Sequence, residues 1–307
     1  MHQLAALFPA GAARRDRVTL ATSSSSVTRW MTRGDLVLAH PGVLALADRA
    51  DEWPVRARAA VLWTRGPLSH LSALAVHRLV LVPPPGPLHV TVPADRWPRG
   101  CSDVLAHRTT LPLDTVRVAG LPVLDAARSL VDSWSWAAMP RRNPHAEREM
   151  PLVRQAVIEA VRTRAVDVEE VRAASVRQRL HAGRPALTDL LDLVAGGCQS
   201  ELEVFGVLHV LRGAGMPPFA QQHRVVLAGG RSVWLDAAWP GVRVAVELDG
   251  AAFHGSRDQR ERDLRRDTAL AALGWVVLRF SYRRLTTDPA GCRREIQAVL
   301  RRQLAER

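Results

Sequence analysis

Apolar positions in the first 46 residues recur at helical spacing and then at alternating spacing. In SVTRWMTRG, Val27, Trp30 and Met31 fall at i, i+3 and i+4, which predicts a helix with one apolar face ending near Gly34. Ser23–Ser26 stand at its start, where a hydroxyl can accept from the first free N–H groups. LVLAHPGVLAL then reads as two β runs about a His-Pro-Gly turn. Helix, helix, hairpin is the order of a winged helix-turn-helix, assigned to residues 1–50. A small mixed bundle with serine as loop filler would give the same pattern.

From Pro54 to Leu81 the pattern is helical, and PPPGP at 83–87 breaks it. LHVTVPA and VLAHRTT read as strands. Residues 121–195 read as largely helical, with LDAARSLVDSWSW and PLVRQAVIEAVRTR flanking MPRRNPHAEREM, a polar insertion expected to be a surface loop. Residues 51–195 therefore form a mostly helical α/β accessory domain. His70 and His77 are seven apart, so both fall on one side of a helix. Two lone histidines make no complete metal site, and packing or capping is the expected role. Gly196–Gly197 marks the boundary to a last domain, residues 198–307.

That domain reads as helix, strand, strand, strand, helix, strand, helix, a mixed sheet between helices. SELEVFGVLHVLRGAG is the first helix, with Ser200 and Glu203 at capping-box spacing. RVVLAGG and RSVWLDAAW are strands about a Gly-Gly turn, and VRVAVELDG is a third, more apolar strand. RDQRERDLRRDTALAALG is a long helix stopped by Gly274, WVVLRFSY is a strand, and a final helix follows Pro289. The fold class expected for the whole chain is multidomain α/β of the α+β kind.

The acids of these strands carry the chemistry. Asp236 ends one strand, and Glu247 and Asp249 share a face of the next. An acid inside an apolar strand costs several kcal/mol, roughly, unless it is paired or metal-bound. Like charges held close raise one another's pKa unless a cation neutralises them. Hard oxygen donors suit Mg²⁺ or Mn²⁺ rather than zinc. His254, five residues past Asp249, has the chemistry of a general acid or base. Plainer readings stand beside these. Glu203 also serves as a capping-box acid, Asp249-Gly250 as a turn pair, and His254 as a packing residue. Arg260, Arg262 and Arg266 alternate with acids, as an ion-paired exposed face would. Trp234, Trp239 and Trp275 are expected in the core.

Composition sharpens this. The net charge is +12, and every one of the 42 basic residues is arginine. Such a balance favours a nucleic-acid partner, although a GC-rich genome also writes arginine freely. Three dispersed cysteines, Cys101, Cys198 and Cys292, argue against a disulfide framework and against a thiolate zinc site. No apolar run approaches the ~18 residues of a membrane span. The N-terminus has no basic leader, so a cytoplasmic protein is the default.

Two resemblances follow from these segments. GDLVLAHPGVLAL, PLSHLSALAVH, LHVTVPADRWPRG and GLPVLDAARSLVD resemble the antitoxin-like regulators of type IV abortive-infection systems, over about residues 1–190. The resemblance implies a winged-helix DNA-binding head with Ser25, Arg29 and Arg33 on its recognition helix. Residues 198–304 resemble the very-short-patch-repair endonuclease-like family of the PD-(D/E)xK restriction-endonuclease fold. The matching segments are Ser200 and Glu203, Asp236, VAVELDGAAFH, RERDLRRDTAL and GWVVLRF. It implies metal binding by Asp236, Glu247 and Glu203, a histidine role for His254, and phosphate contacts from Arg260, Arg262, Arg266 and Arg279. The motif lysine is replaced by Asp249; the repair endonucleases also lack that lysine and use histidine, so the resemblance implies that Asp249 and His254 substitute for it. The expected function is a Mg²⁺- or Mn²⁺-dependent DNA endonuclease tethered to a DNA-binding head. The alternative is a non-catalytic DNA-binding regulator or antitoxin with a degenerate nuclease fold. A cognate toxin and a homodimer are the further partners considered.

Overall fold

The computed structural model describes residues 2–80, 86–98, 102–179, 181–249 and 257–306. The chain separates into two compact units, Met1–Arg184 and Pro185–Arg307. Both mix helices with sheets, as an α+β chain does. Among the described residues no helix is long and apolar enough to cross a membrane.

The first unit opens with α1 (His2–Leu7), β1 (Ala12–Arg14), α2 (Arg15–Ala21), α3 (Ser24–Thr32), β2 (Leu36–His40) and β3 (Val43–Leu46). Ser23 caps α3, its Oγ accepting from the Ser26 N–H at 3.1 Å. Val27 and Trp30 turn inward and pack with Phe8, Val18, Leu36 and Leu44. The hairpin gains a third antiparallel strand, in the order β1-β3-β2. β1 is three residues long, too short to show a period. Gly11, just before it, has φ 78°, and a Cβ there would meet Val55 Cγ2 at 2.4 Å. Both the backbone angle and the close approach require glycine.

The unit continues through α4 (Trp53–Thr64), α5 (His70–Val76), β4 (Leu88–Pro93), β5 (Val104–Thr109), β6 (Thr115–Val118), β7 (Leu121–Leu124), α6 (Ala126–Ala137), α7 (Ala146–Arg162) and α8 (Val168–Arg177). β4 and β5 pair in parallel. Two expectations change here. Residues 121–124 are a strand rather than the start of a helix, paired antiparallel with β6. Ala119 and Gly120, both at positive φ, make the tight turn that hairpins favour. The insertion at 139–150 is also no simple surface loop. Its last residues begin α7, and Asn143 is buried, donating to Glu149 Oε2 at 2.7 Å.

The second unit holds α9 (Arg184–Ala195), α10 (Glu201–Gly206) with a π-helical turn at Val207–Leu211, β8 (Ala220–Val226), β9 (Ser232–Trp239), β10 (Val244–Asp249), α11 (Arg257–Ala272), β11 (Val276–Ser281), α12 (Tyr282–Thr287) and α13 (Pro289–Ala305). The boundary expected at Gly196–Gly197 lies inside this unit. α9 buries Leu187, Leu190, Leu191 and Val194 along one stripe, so it is an integral helix rather than a linker. The sheet order is β11-β10-β9-β8. β10 and β11 run parallel, and the other pairs antiparallel. α11 covers one face, Leu270 packing on Val225, Val233, Leu235 and Ala245. Gly206 of α10 sits against Leu248 of β10, where a Cβ would lie 2.6 Å from Leu248 Cδ1.

Leu270 is fully buried at the centre of the α11–sheet contact. Leu270→Ala is expected to destabilise the second unit by about 2–5 kcal/mol. Urea unfolding followed by circular dichroism would show it. An unchanged transition would mean that α11 does not pack as described.

Candidate functional site

The β9–β10 ladder runs from Val244↔Trp239 to Val246↔Ala237. At the next position the backbone pairing gives way to a side chain. Asp236 Oδ2 accepts the Leu248 N–H at 2.9 Å. An acid therefore occupies the place of a ladder carbonyl, which fixes its carboxylate beside β10. Glu247 is buried on that strand and lies opposite Arg279 on β11.

Gln222 of β8 links the acids. Its Nε2 lies 3.4 Å from Asp236 Oδ1 and 3.3 Å from Glu203 Oε2. Its φ is 46°, a left-handed value rarely adopted by a residue with a side chain. Such strain persists only where surrounding contacts over-determine it. Glu203 takes part in the cap of α10. The Ser200 hydroxyl donates to Glu203 Oε1 at 2.9 Å, the Gln199 N–H donates to Glu203 Oε2 at 2.9 Å, and Ser200 Oγ accepts the Glu203 N–H at 3.2 Å. The capping role and the position beside Asp236 are thus held by one side chain. Burial raises the Glu203 pKa, the Gln199 N–H opposes this, and the charge of Asp236 adds to it.

Glu247 is the most enclosed of the acids. Arg266 Nη2 of α11 lies 2.5 Å from its Oε1, and Arg279 Nη2 lies 3.0 Å from its Oε2. Arg266 also donates to Trp234 O at 2.7 Å, and Arg279 to Asp267 Oδ1 at 2.7 Å. The ion pair at Oε1 is close but badly aligned, so that oxygen is buried without a hydrogen bond. Burial raises the Glu247 pKa despite both arginines, which pull it down, and the Asp236 charge pushes it further up.

The structure thus brings together Asp236, Glu247 and Glu203, with Arg266 and Arg279 turned onto Glu247. Arg262 is exposed on α11. His254 lies outside the described residues, as do the side chains of Asp249 and Arg260. Sequence reading missed Gln222 and Asp267. A glutamine beside a strand carries no signal, since its role depends on the two acids that it reaches. Trp239 is buried, but Trp234 is 55% exposed on β9, contrary to the core position expected for it. Cys198 and Cys292 are free and buried. In the first unit, Arg29 is exposed on α3, and Arg33, just past it, pairs with Asp35 at 3.5 Å.

The donor chemistry of the acid group fits a hard divalent cation. Its ligands would be carboxylate oxygens, two of the carboxylates have raised pKa values, and Glu247 Oε1 has no hydrogen bond. The three acids do not close into one cage. Among the described residues, three potential ligand atoms lie within 4.8 Å of one another only in a histidine group of the first unit.

One comparison with known proteins bears on the second unit. Residues 210–300 match the family model REase_MTES_1575, which indicates a restriction-endonuclease-like domain at the C-terminus. Uncharacterized proteins MT2308 and Rv2248 of Mycobacterium tuberculosis are each 29% identical over 119 residues, 39% of this chain and 44% of theirs. The match thus spans less than half the length of those relatives. The crystal structure of RV2827C protein from Mycobacterium tuberculosis aligns over 62% of this chain and 78% of its own, at 18% identity and a TM-score of 0.32. That similarity is too low to identify a fold.

Raised carboxyl pKa values make a signed prediction. Folded Glu203 and Glu247 hold protons more tightly than in the unfolded chain, where the value is 4.5. Stability therefore falls as pH rises from about 4.5 through the folded values, because the native state releases its protons later. Glu203→Gln is expected to flatten this fall. Melting temperature measured across pH 4 to 8 checks it, and a fall of equal steepness in the variant would remove Glu203 from the account.

Proposed function

We propose that the second unit is a metal-dependent DNA endonuclease and that residues 1–50 form a winged helix-turn-helix that binds DNA. The observation supporting the nuclease reading is the meeting of Asp236 and Glu247 where the β9–β10 ladder ends, inside a restriction-endonuclease-like domain. Asp236 and Glu247 would hold Mg²⁺ or Mn²⁺, with Glu203 assisting. Such an ion supplies an acidified water and charge stabilisation at a phosphoryl oxygen. Gln222 spaces Asp236 from Glu203 and keeps the Asp236 carboxylate oriented. Arg266 and Arg279 place two guanidinium groups beside the acids, where a phosphate oxygen can exchange for a carboxylate partner. Exposed Trp234, two residues before Asp236, offers an aromatic face to the nucleic acid. Asp249 and His254 are the proposed substitutes for the absent lysine, with His254 in proton transfer.

In the first unit, the order of α2, α3 and the β2–β3 hairpin, together with β1, supports the winged-helix reading. Arg29 then lies on the recognition helix and contacts phosphate or a guanine edge, with Arg33 at the end of that helix. Arg260 and Arg262, on α11, are the proposed backbone contacts of the nuclease domain.

A second reading has its own support. Glu247 already carries two arginines, and Asp249 stands where the motif has lysine. Both features suit a DNA-gripping domain without catalysis, in a regulator or antitoxin.

Plasmid cleavage with Mg²⁺, Mn²⁺ or EDTA decides between the readings. The nuclease reading expects metal-dependent cleavage that Asp236→Ala lowers by about 100-fold or more. Cleavage persisting in Asp236→Ala would reject this site. Tight DNA binding with no cleavage by the wild type would support the regulator.

For the head, Arg29→Ala is expected to weaken DNA binding and to reduce the salt slope of log K by about one unit. Fluorescence anisotropy over a salt series reads both. An unchanged slope and affinity would remove α3 from the DNA interface.

A further inference from the structure

A second group of chemically active side chains lies in the first unit, apart from the acids. His70 opens α5, His89 lies on β4 and His107 on β5. Thr91 is the register partner of His107, so His89 and His107 fall on the same sheet face, two residues out of step. His89 Nδ1 and His107 Nε2 are 3.0 Å apart. The His70 ring stacks on His107 with centroids 3.6 Å apart. One ring nitrogen from each residue lies within 4.8 Å of the other two.

The surrounding backbone holds this arrangement. The Ser69 N–H donates to His89 O at 3.0 Å, and the His89 N–H donates to Ser72 Oγ at 2.9 Å. The start of α5 is thereby tied to the residue of β4 that bears the second imidazole. Ser69 Oγ lies 2.9 Å from His70 Nδ1, orienting that ring. His70 itself has φ 50°, a left-handed value that costs energy in a residue with a side chain. Thr91 Oγ1, beside His107 on the sheet, is buried with no hydrogen bond. Trp136 stands edge-on to His89 and His107, with centroids at 6.2 and 5.1 Å. His70 and His89 are buried, and His107 is half-buried.

Burial keeps the three rings neutral. It lowers the His89 pKa to about 4 and those of His70 and His107 well below their ordinary value. Imidazole donors select zinc-class ions rather than Mg²⁺ or Ca²⁺.

We propose that His70, His89 and His107 bind one zinc-class transition-metal ion through three imidazole nitrogens, with its fourth position open toward solvent at His107. The ion ties α5, β4 and β5 together and replaces the His89–His107 hydrogen bond by coordination. The site is independent of the acid group in the second unit.

The test uses the full chain, stripped with EDTA and titrated with Co²⁺ alone, then with Zn²⁺. One Co²⁺ per chain is expected, with the intense visible bands of a four-coordinate ion, displaced by one Zn²⁺. His89→Ala and His107→Ala should each weaken binding roughly 100-fold or more. The double variant Glu203→Ala/Asp236→Ala should keep the intense visible bands of the four-coordinate Co²⁺, which separates this site from the acids. If the alanine variants do not fold, two measurements remain. His107→Gln alters the half-buried ring, and X-ray absorption of the zinc-loaded wild type counts imidazole ligands. Failure of the wild type to bind an ion would overturn the proposal. So would undiminished binding by folded His107→Gln, or ligation of the zinc by carboxylate oxygen or sulfur.

Discussion

The second unit is organised around a buried charge. Glu247 sits in an apolar strand with its side chain 9% exposed. Removing a carboxylate from water costs several kcal/mol, roughly, even after relaxation. The structure offsets that cost with two guanidinium groups from different elements, Arg266 on α11 and Arg279 on β11. The compensation is incomplete, because the Glu247 pKa remains raised and Oε1 lacks a hydrogen bond.

The same reasoning extends to the neighbouring acids. Asp236 interrupts a ladder to accept a backbone N–H, and Gln222 takes up a strained backbone angle beside it. Glu203 spends its oxygens on a helix cap while coupling to Asp236. Each residue satisfies a local structural need, so the plain and the functional readings describe one side chain rather than competing for it. This is why Glu203 fits a capping box and an acid cluster equally well. The ion pairs of α11 are likewise divided. Arg265 pairs with Glu261 on the exposed helix surface, whereas Arg266 reaches into the sheet.

The two units present opposite kinds of polar cluster. The acid group offers oxygen donors with excess negative charge beside arginines. The histidine group offers nitrogen donors, with Trp136 edge-on to two of the three rings. Hard and borderline cations sort between such sites by ligand type.

Much of the fold was legible in the residues alone. Helical spacing located α3 through Val27 and Trp30, and the β2–β3 hairpin followed from two apolar runs about Pro41-Gly42. The strands of the second unit followed from alternation and the Gly229-Gly230 turn. Asp236 and Glu247 stood out as acids in apolar runs. Other features had no local signal. β1 is three residues long, and the β6–β7 hairpin hid beside a helical segment. His89 and His107 are 18 residues apart and meet His70 only because β4 and β5 pair in parallel with α5 docked on them. Local periodicity reports which face of an element is apolar, since that follows from neighbours in the chain. It cannot report which distant polar groups converge, because loop closure and strand register decide that. The sequence thus determined the elements and the identity of the acids. Only the tertiary structure decided that Arg266 and Arg279 serve Glu247, that Gln222 bridges two carboxylates, and that three histidines form one group.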